Sequence, residues 1–160
     1  MPKVLIAYYS RSGTTEKMAK LIARGVSKEG IEPDIRKVAD IKAEELLKYD
    51  GIVIGSPTYY GTMSYEVKKL FDESVKFHGK LEGKVGGAFS SSANVAGGNE
   101  TTIMDIIDAL LIHGLIVQGD PRGDHYGPVA VGSIDGRAEK ECLKFGGRIA
   151  NLVKKVGEEA

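Results

Sequence analysis

Five short apolar runs, spaced by segments of helical period, constrain this 160-residue chain more than any other feature. The first, Val4-Leu5-Ile6-Ala7-Tyr8-Tyr9, is followed by Met18, Leu21, Ile22 and Val26 at helical spacing. A strand ending near Tyr9 therefore gives way to a helix from about Thr15 to Lys28. Glu29-Gly30 ends that helix, Pro33 to Val38 reads as a second strand, and a short helix covers Ala43 to Leu47. Gly51-Ile52-Val53-Ile54-Gly55 is a third strand. After a loop from Ser56 to Met63, Ser64 caps a helix running to about Lys76, with Val67, Leu70, Phe71, Ser74 and Val75 on its inner side. Lys84 to Ser90 is a fourth strand and Ser91 to Glu100 a polar, glycine-rich loop. Thr101 then opens a helix with Ile103, Ile106, Ile107, Leu110 and Leu111 inward. Gly114 stops it before a fifth strand, Leu115 to Val117. A long loop carrying Asp120, Arg122, His125 and Tyr126 precedes Val129-Ala130-Val131, which resumes the sheet edge. The last helix, Arg137 to about Val156, buries Ala138, Cys142, Phe145, Ile149, Leu152 and Val156.

Near-continuously apolar strands alternating with helices specify a parallel sheet covered on both faces. Right-handed crossovers leave few topologies, and for five such units the strand order 2-1-3-4-5 is expected. The class is therefore α/β: three layers, α/β/α, around a five-stranded parallel sheet. Residues 1–160 form one domain, since no repeat, low-complexity tract or linker divides them. In such sheets ligands bind at the carboxyl ends of the strands, beside the switch point between strands one and three. The loops after strands one, three and four are expected to converge there.

Those three loops are the unusual ones of the chain. Ser10-Arg11-Ser12-Gly13-Thr14-Thr15 is a hydroxyl-rich turn entering a helix. It gathers N–H groups and hydroxyls at the positive end of a helix dipole, which suits a phosphate dianion without a lysine. It equally suits a helix start capped by Ser or Thr. Ser56-Pro57-Thr58-Tyr59-Tyr60-Gly61-Thr62-Met63 carries adjacent tyrosines. They either present a ring to a flat ligand or pack half-buried at a strand-to-helix turn. The stretch from Ser90 to Glu100 offers small side chains and many N–H groups, as a third binding loop or as flexible surface.

Charge and cysteine content narrow the classes further. Basic and acidic residues number 22 each, so the net charge is zero. A basic footprint for nucleic acid or an anionic membrane is absent. No apolar stretch is long enough for membrane insertion, and Met1-Pro2-Lys3 runs straight into the first strand. A cytoplasmic protein without a signal peptide is expected. The single cysteine, Cys142, excludes an intrachain disulfide and reads as a buried small hydrophobe. His78, His113 and His125 lack the spacing of a metal site, so no metal is expected. Asp105 and Asp108 read as a solvated helix face. A phosphoacceptor receiver domain would need an aspartate where strand three meets Ser56. A cysteine phosphatase would need a cysteine in the first loop, and a dinucleotide Rossmann domain a Gly-x-Gly; the chain has neither.

Taken together the three loops resemble those of FMN-binding flavodoxin-like proteins, most closely the NAD(P)H:quinone oxidoreductases of the Trp-repressor-binding-protein (WrbA) type. Ser10 to Thr15 is similar to that family's phosphate loop. Gly55-Ser56-Pro57-Thr58-Tyr59-Tyr60-Gly61-Thr62-Met63-Ser64 resembles its Gly-x-Pro-Thr-x-aromatic-Gly-x-Met-Ser segment. Phe89-Ser90-Ser91-Ser92 with Gly97-Gly98-Asn99-Glu100 resembles its third flavin loop. The resemblance covers nearly the whole chain and implies a flavodoxin-like fold. It implies that Ser10, Ser12, Gly13, Thr14 and Thr15 hold the FMN phosphate. Pro57, Thr58, Tyr59, Tyr60 and Gly61 would flank the isoalloxazine ring. Ser91, Ser92, Ala93, Asn94, Val95, Ala96 and Gly97 would supply amides to its pyrimidine side. The chemistry would then sit on the flavin, with no catalytic side chain, NAD(P)H as donor, and a quinone or redox protein as acceptor.

The chain also departs from that pattern. The connection Ala39 to Asp50 is shorter than the family's segment associated with tetramers, leaving a homodimer or homotetramer as the implied assemblies. The family's histidine near the flavin aligns with Ile112 rather than His113. His125 and Tyr126 are candidates for a substrate pocket, although a loop-stabilising histidine is the commoner arrangement. A flavodoxin-type electron carrier is the alternative function. Such carriers are usually strongly acidic, which the zero net charge does not match.

Overall fold

A computed structural model describes all 160 residues. Strands β1 (Val4–Tyr8), β2 (Pro33–Lys37), β3 (Gly51–Pro57), β4 (Val85–Ser92) and β5 (Ile116–Val117) form a parallel sheet in the order β2-β1-β3-β4-β5. Helices α1 (Thr14–Lys28), α2 (Tyr65–Glu73), α3 (Asn99–Ile112) and α4 (Gly136–Glu159) cover it. A sixth strand, β6 (Val129–Val131), also pairs with β4. It runs beside the carboxyl half of β4, with Ser90 opposite Val129, whereas β5 lies beside the amino half, with Val85 opposite Ile116. β5 and β6 are thus two pieces of one edge strand, interrupted by residues 118–128.

Alternation within the strands builds a core on each face. β1 turns Leu5 and Ala7 one way and Val4, Ile6 and Tyr8 the other; β3 does the same with Ile52 and Ile54 against Val53. α2 and α3 close the first face with Val67, Leu70, Ile103, Ile106 and Leu110. α1 and α4 close the second with Met18, Ile22, Val26, Cys142 and Ile149. Each such aliphatic side chain contributes about 1.5–3 kcal/mol on burial, so a sheet buried on both faces fixes its strand ends firmly. Burial pushes the Cys142 thiol up to about 12, which leaves it inert as a nucleophile. No helix is long and apolar enough to cross a membrane.

Several local expectations are corrected. β3 and β4 run on to Pro57 and Ser92, so Ser56, Pro57, Ser91 and Ser92 belong to strands rather than loops. Leu111 and Val75, expected inward, are exposed, because α3 ends at Ile112 and a tighter turn over Ser74–Phe77 follows α2 and buries Phe77 instead. On α4, Val153 takes the buried place, and Leu152 and Val156 lie at the margin.

His113 is buried in the seam between α2 and α3. Its Nε2 donates to Ser74 Oγ at 2.7 Å, because the Ser74 hydroxyl is itself donated to Phe71 O at 2.6 Å. Nδ1 has no partner, and the ring stacks on Phe77 with centroids 6.3 Å apart. Burial, with His78 a lesser cause, lowers its pKa. The fold therefore favours the neutral ring. Its stabilising contribution is complete above the unfolded value of about 6.5 and is lost as pH falls below it. Denaturation midpoints are expected to decline between about pH 6.5 and pH 5, and less steeply in His113→Gln. Equal slopes in the two proteins would contradict this.

Candidate functional site

The first loop leaves β1 at Tyr8 and enters α1 through Gly13. Ser10 Oγ accepts from Gly13 N at 3.1 Å, closing the turn. Gly13 sits at φ +102 as the N-cap, and no side chain caps α1. The alternative of a Ser or Thr cap is therefore not what forms. The amides of Arg11, Ser12, Thr14, Thr15 and Glu16 find no acceptor within the chain, and they surround the positive end of α1. The Tyr8 hydroxyl donates to Glu16 Oε1 at 2.8 Å and fixes the first turn of α1 to β1. Thr15 is buried, its Oγ1 2.9 Å from Ser91 Oγ; Thr14 Oγ1 donates to Gly132 O at 3.2 Å. Both hydroxyls are engaged, whereas Arg11 and Ser12 are exposed.

The second loop begins where Thr58 N donates to Ser91 O at 2.8 Å. Tyr59 and Thr62 then exchange N–H···O bonds of 3.0 and 3.1 Å around Tyr60-Gly61. Both central residues have positive φ, +52 and +77, the signature of a type I′ turn. Asn or Gly would suit the first of these positions better than tyrosine. Tyr60 nevertheless occupies it with its side chain fully exposed. Tyr59 is half-buried, edge-on to Tyr9 at 6.2 Å. Tyr59 thus packs at the turn, and Tyr60 does not.

The third loop follows β4. Ser92 Oγ donates to Asn94 O and accepts from Asn99 Nδ2, each at 3.0 Å. Gly97 N reaches Asn94 O at 3.1 Å. α3 also starts from a left-handed glycine, Gly98 at φ +103, with no side-chain cap. The amides of Ala93, Asn94, Val95, Ala96, Asn99 and Glu100 have no acceptor in the chain. A Cβ on Gly98 would stand 2.8 Å from Gly61 Cα, so only glycine lets the second and third loops touch. Through that contact and the Thr15–Ser91 and Thr58–Ser91 bonds, the three loops meet at one rim of the sheet.

The model of the flavodoxin domain matches residues 5–108. The chain belongs to the flavodoxin family. It is 38% identical to a flavodoxin of Clostridium saccharobutylicum, over 96% of this chain and 99% of that one. It is 32% identical to an NAD(P)H dehydrogenase (quinone) of Sinorhizobium fredii, over 99% of this chain and 100% of that one. Among solved structures it is similar to the flavodoxin, WrbA-like protein of Agrobacterium tumefaciens, with TM-score 0.81, 26% identity, and coverage of 97% and 99% of the two chains.

In this flavodoxin-family chain, α3 holds the second loop with residues not expected at the site. Thr101 Oγ1 lies 2.6 Å from Gly61 O. Asp105, expected on a solvated face, accepts from the Thr62 hydroxyl and from Met63 N at 3.3 Å. Thr102, Thr58 and Ser90 form a hydroxyl chain with links of 3.2 and 3.1 Å. The spacing of Thr101, Asp105 and Asp108 was the available signal, since it sets them on one side of α3. A cleft of about 450 Å³ is lined by this side of α3, by Gly61 and Thr62 of the second loop, and by Tyr126. His125 does not line it; its Nδ1 lies 2.6 Å from Asp120 O. Ile112 is exposed and His113 is buried against Ser74.

Ala96 holds φ +56 at the exposed third loop. Ala96→Gly removes a left-handed strain and is expected to raise the unfolding free energy by about 0.5–1 kcal/mol. Urea titration checks this; a loss of stability would contradict it.

Proposed function

We propose that the chain binds FMN at the rim where the three loops meet and uses it to reduce quinones, with NAD(P)H as donor. The observation that carries the reading is the bare start of α1: five free amides between Arg11 and Glu16, no side-chain cap, and no lysine from Ser10 to Thr15. A phosphate dianion satisfies such donors and the helix dipole together. The amides of Arg11 to Glu16 would take the phosphate, helped by the hydroxyls of Ser10 and Ser12. Thr14 and Thr15 would act through their amides, because their hydroxyls are engaged elsewhere. Tyr60, unburied in a backbone conformation unfavourable to it, suits a ring-stacking role better than any packing role. Pro57, Thr58, Tyr59 and Gly61 would border the ring. The free amides between Ala93 and Ala96, with Gly97, would face its carbonyl edge, and Ser91 and Ser92 would hold that loop in place. Bound FMN supplies hydride and electron transfer, for which the chain needs no catalytic side chain of its own.

A second reading, an electron carrier, is favoured by one observation. The flavodoxin of Clostridium saccharobutylicum matches this chain end to end over 161 aligned residues, whereas the Sinorhizobium fredii quinone dehydrogenase needs 199. The two readings separate in one assay. The FMN-loaded protein is mixed with NADH or NADPH and 1,4-benzoquinone. Catalytic oxidation of either nicotinamide is expected. No turnover with either, together with reduction by a flavodoxin reductase, overturns the enzyme reading in favour of the carrier.

A further inference from the structure

Residues 118–128, which interrupt the edge strand, are held by one charged stripe of α4. Arg137, Glu141, Lys144 and Arg148 recur at spacings of three and four, which places them on one side of that helix. Asp120 Oδ2 lies 2.8 Å from Lys144 Nζ and 3.0 Å from Arg148 Nη2. Its Oδ1 accepts from the Arg122 amide at 2.8 Å. Arg148 Nη1 also donates to Gly119 O at 2.6 Å. Further along, Asp124 Oδ1 lies 2.8 Å from Arg137 Nη1, and Glu141 Oε2 accepts from the Asp124 amide at 3.2 Å. Gly127 then lies on β4: a Cβ there would stand 2.0 Å from Ala88 O, and φ is +147. Only glycine permits that approach.

Two residues project between these fastenings. His125 turns back, its carbonyl accepting from Asp120 N at 3.1 Å and its Nδ1 lying 2.6 Å from Asp120 O. Tyr126 does not. It is half exposed, its hydroxyl has no partner in the chain, and its ring stands edge-on to His125 at 6.4 Å. It lines the cleft together with Gly61, Thr101 and Met104. Burying a carboxylate between two cations is a weak way to gain stability, so the geometry it enforces is the more informative consequence.

We propose that Tyr126 is a contact residue for the electron acceptor in this cleft, and that Asp120 is its positioning residue, acting through the 118–128 loop. The proposal rests on the functional reading above and names the acceptor class: a flat, uncharged quinone, held between the Tyr126 ring and the Met104 thioether. Glu100, Asp105 and Asp108 line the same cleft and repel an anionic ring. Reduced FMN bound at the rim would supply a hydride and solvent a proton, so that the quinone leaves as the quinol and the flavin is oxidised.

Two measurements test this. Hydrogen–deuterium exchange, on protein without FMN, is expected to quicken across residues 118–128 in Asp120→Asn while α1 and β1 are unchanged. Stopped-flow oxidation of the photoreduced, FMN-loaded protein by 1,4-naphthoquinone then gives a half-saturating concentration and a limiting rate. Asp120→Asn and Tyr126→Ala are each expected to raise the former by about fivefold or more, with the limiting rate and FMN affinity unchanged. In a Tyr126→Ala background, Asp120→Asn is expected to add nothing, and 1,4-naphthoquinone-2-sulfonate should saturate more weakly than the neutral ring. Lys144→Gln repeats the Asp120 test should Asp120→Asn fold poorly. Unchanged exchange, additive effects, or equal saturation by both quinones overturns the proposal. Failure of the unsubstituted protein to take up FMN overturns the functional reading itself, and with it the acceptor role of Tyr126.

Discussion

Thr15→Asp is expected to abolish the preference for FMN over riboflavin. Thr15 sits in the first turn of α1, buried, with its hydroxyl on Ser91 and its amide among the free donors. An aspartate there competes for the same amides and repels the phosphate. At a separation of ~5 Å and an effective dielectric of ~20, one pair of unit charges costs about 3 kcal/mol. FMN affinity should therefore fall at least about a hundredfold. Riboflavin lacks the phosphate, so its affinity should stay within about threefold. A carboxylate near a helix start is not adverse to α1, although its burial beside Ser91 carries a cost. Thr15→Val, which removes the hydroxyl without adding charge, is the control and should keep the FMN preference. Fluorescence-quenching titrations of the four protein–flavin pairs of Thr15→Asp and wild type decide the matter. An unchanged FMN preference in Thr15→Asp would remove the phosphate from this loop.

Tyr60→Ala is expected to separate binding from folding. The Tyr60 side chain is fully exposed, so its removal leaves no cavity and no unpaired group. Stacking of an aromatic side chain on a heterocyclic ring is worth ~1–3 kcal/mol by alanine substitution. FMN and riboflavin should both weaken by about 30-fold, the equivalent of ~2 kcal/mol, with urea midpoints unchanged. Tyr60→Phe should retain most of the affinity. Parallel loss of stability and flavin affinity in Tyr60→Ala would instead make the tyrosine a packing residue.

The order of the sheet was legible because β1 and β3 are apolar on both faces, which only a parallel, doubly covered sheet satisfies. The ends of β3 and β4 were not. Ser56, Pro57, Ser91 and Ser92 are small or polar, and they are strand residues only through their pairing: Ser56 and Pro57 with Ser90 and Ser91 of β4, and Ser92 with Val131 of β6. The inner side of α3 was partly ambiguous for the opposite reason. Its last turn, Ala109 to Ile112, is apolar all round, so Leu111 fits the inward period as Leu110 does and yet lies outside. The three loops announced themselves by composition, but not which groups in them are spent. Thr14, Thr15, Ser91 and Ser92 hold the loops together with their hydroxyls, leaving the amides free. Asp105 reads as a solvated face in the sequence because its partners, Thr62 and Met63, lie far off in the chain. The stripe of Arg137, Glu141, Lys144 and Arg148 was readable as spacing, yet its counter-charges on Asp120 and Asp124 come from a loop without periodicity.

The most direct test follows backbone amide shifts by ¹⁵N NMR while FMN is added. One saturable transition, complete at a single equivalent, should move Arg11, Ser12, Thr14 to Glu16, Tyr60, Gly61 and Ala93 to Ala96 together. Shifts confined to one of these turns, or none up to excess FMN, would contradict a common site for all three.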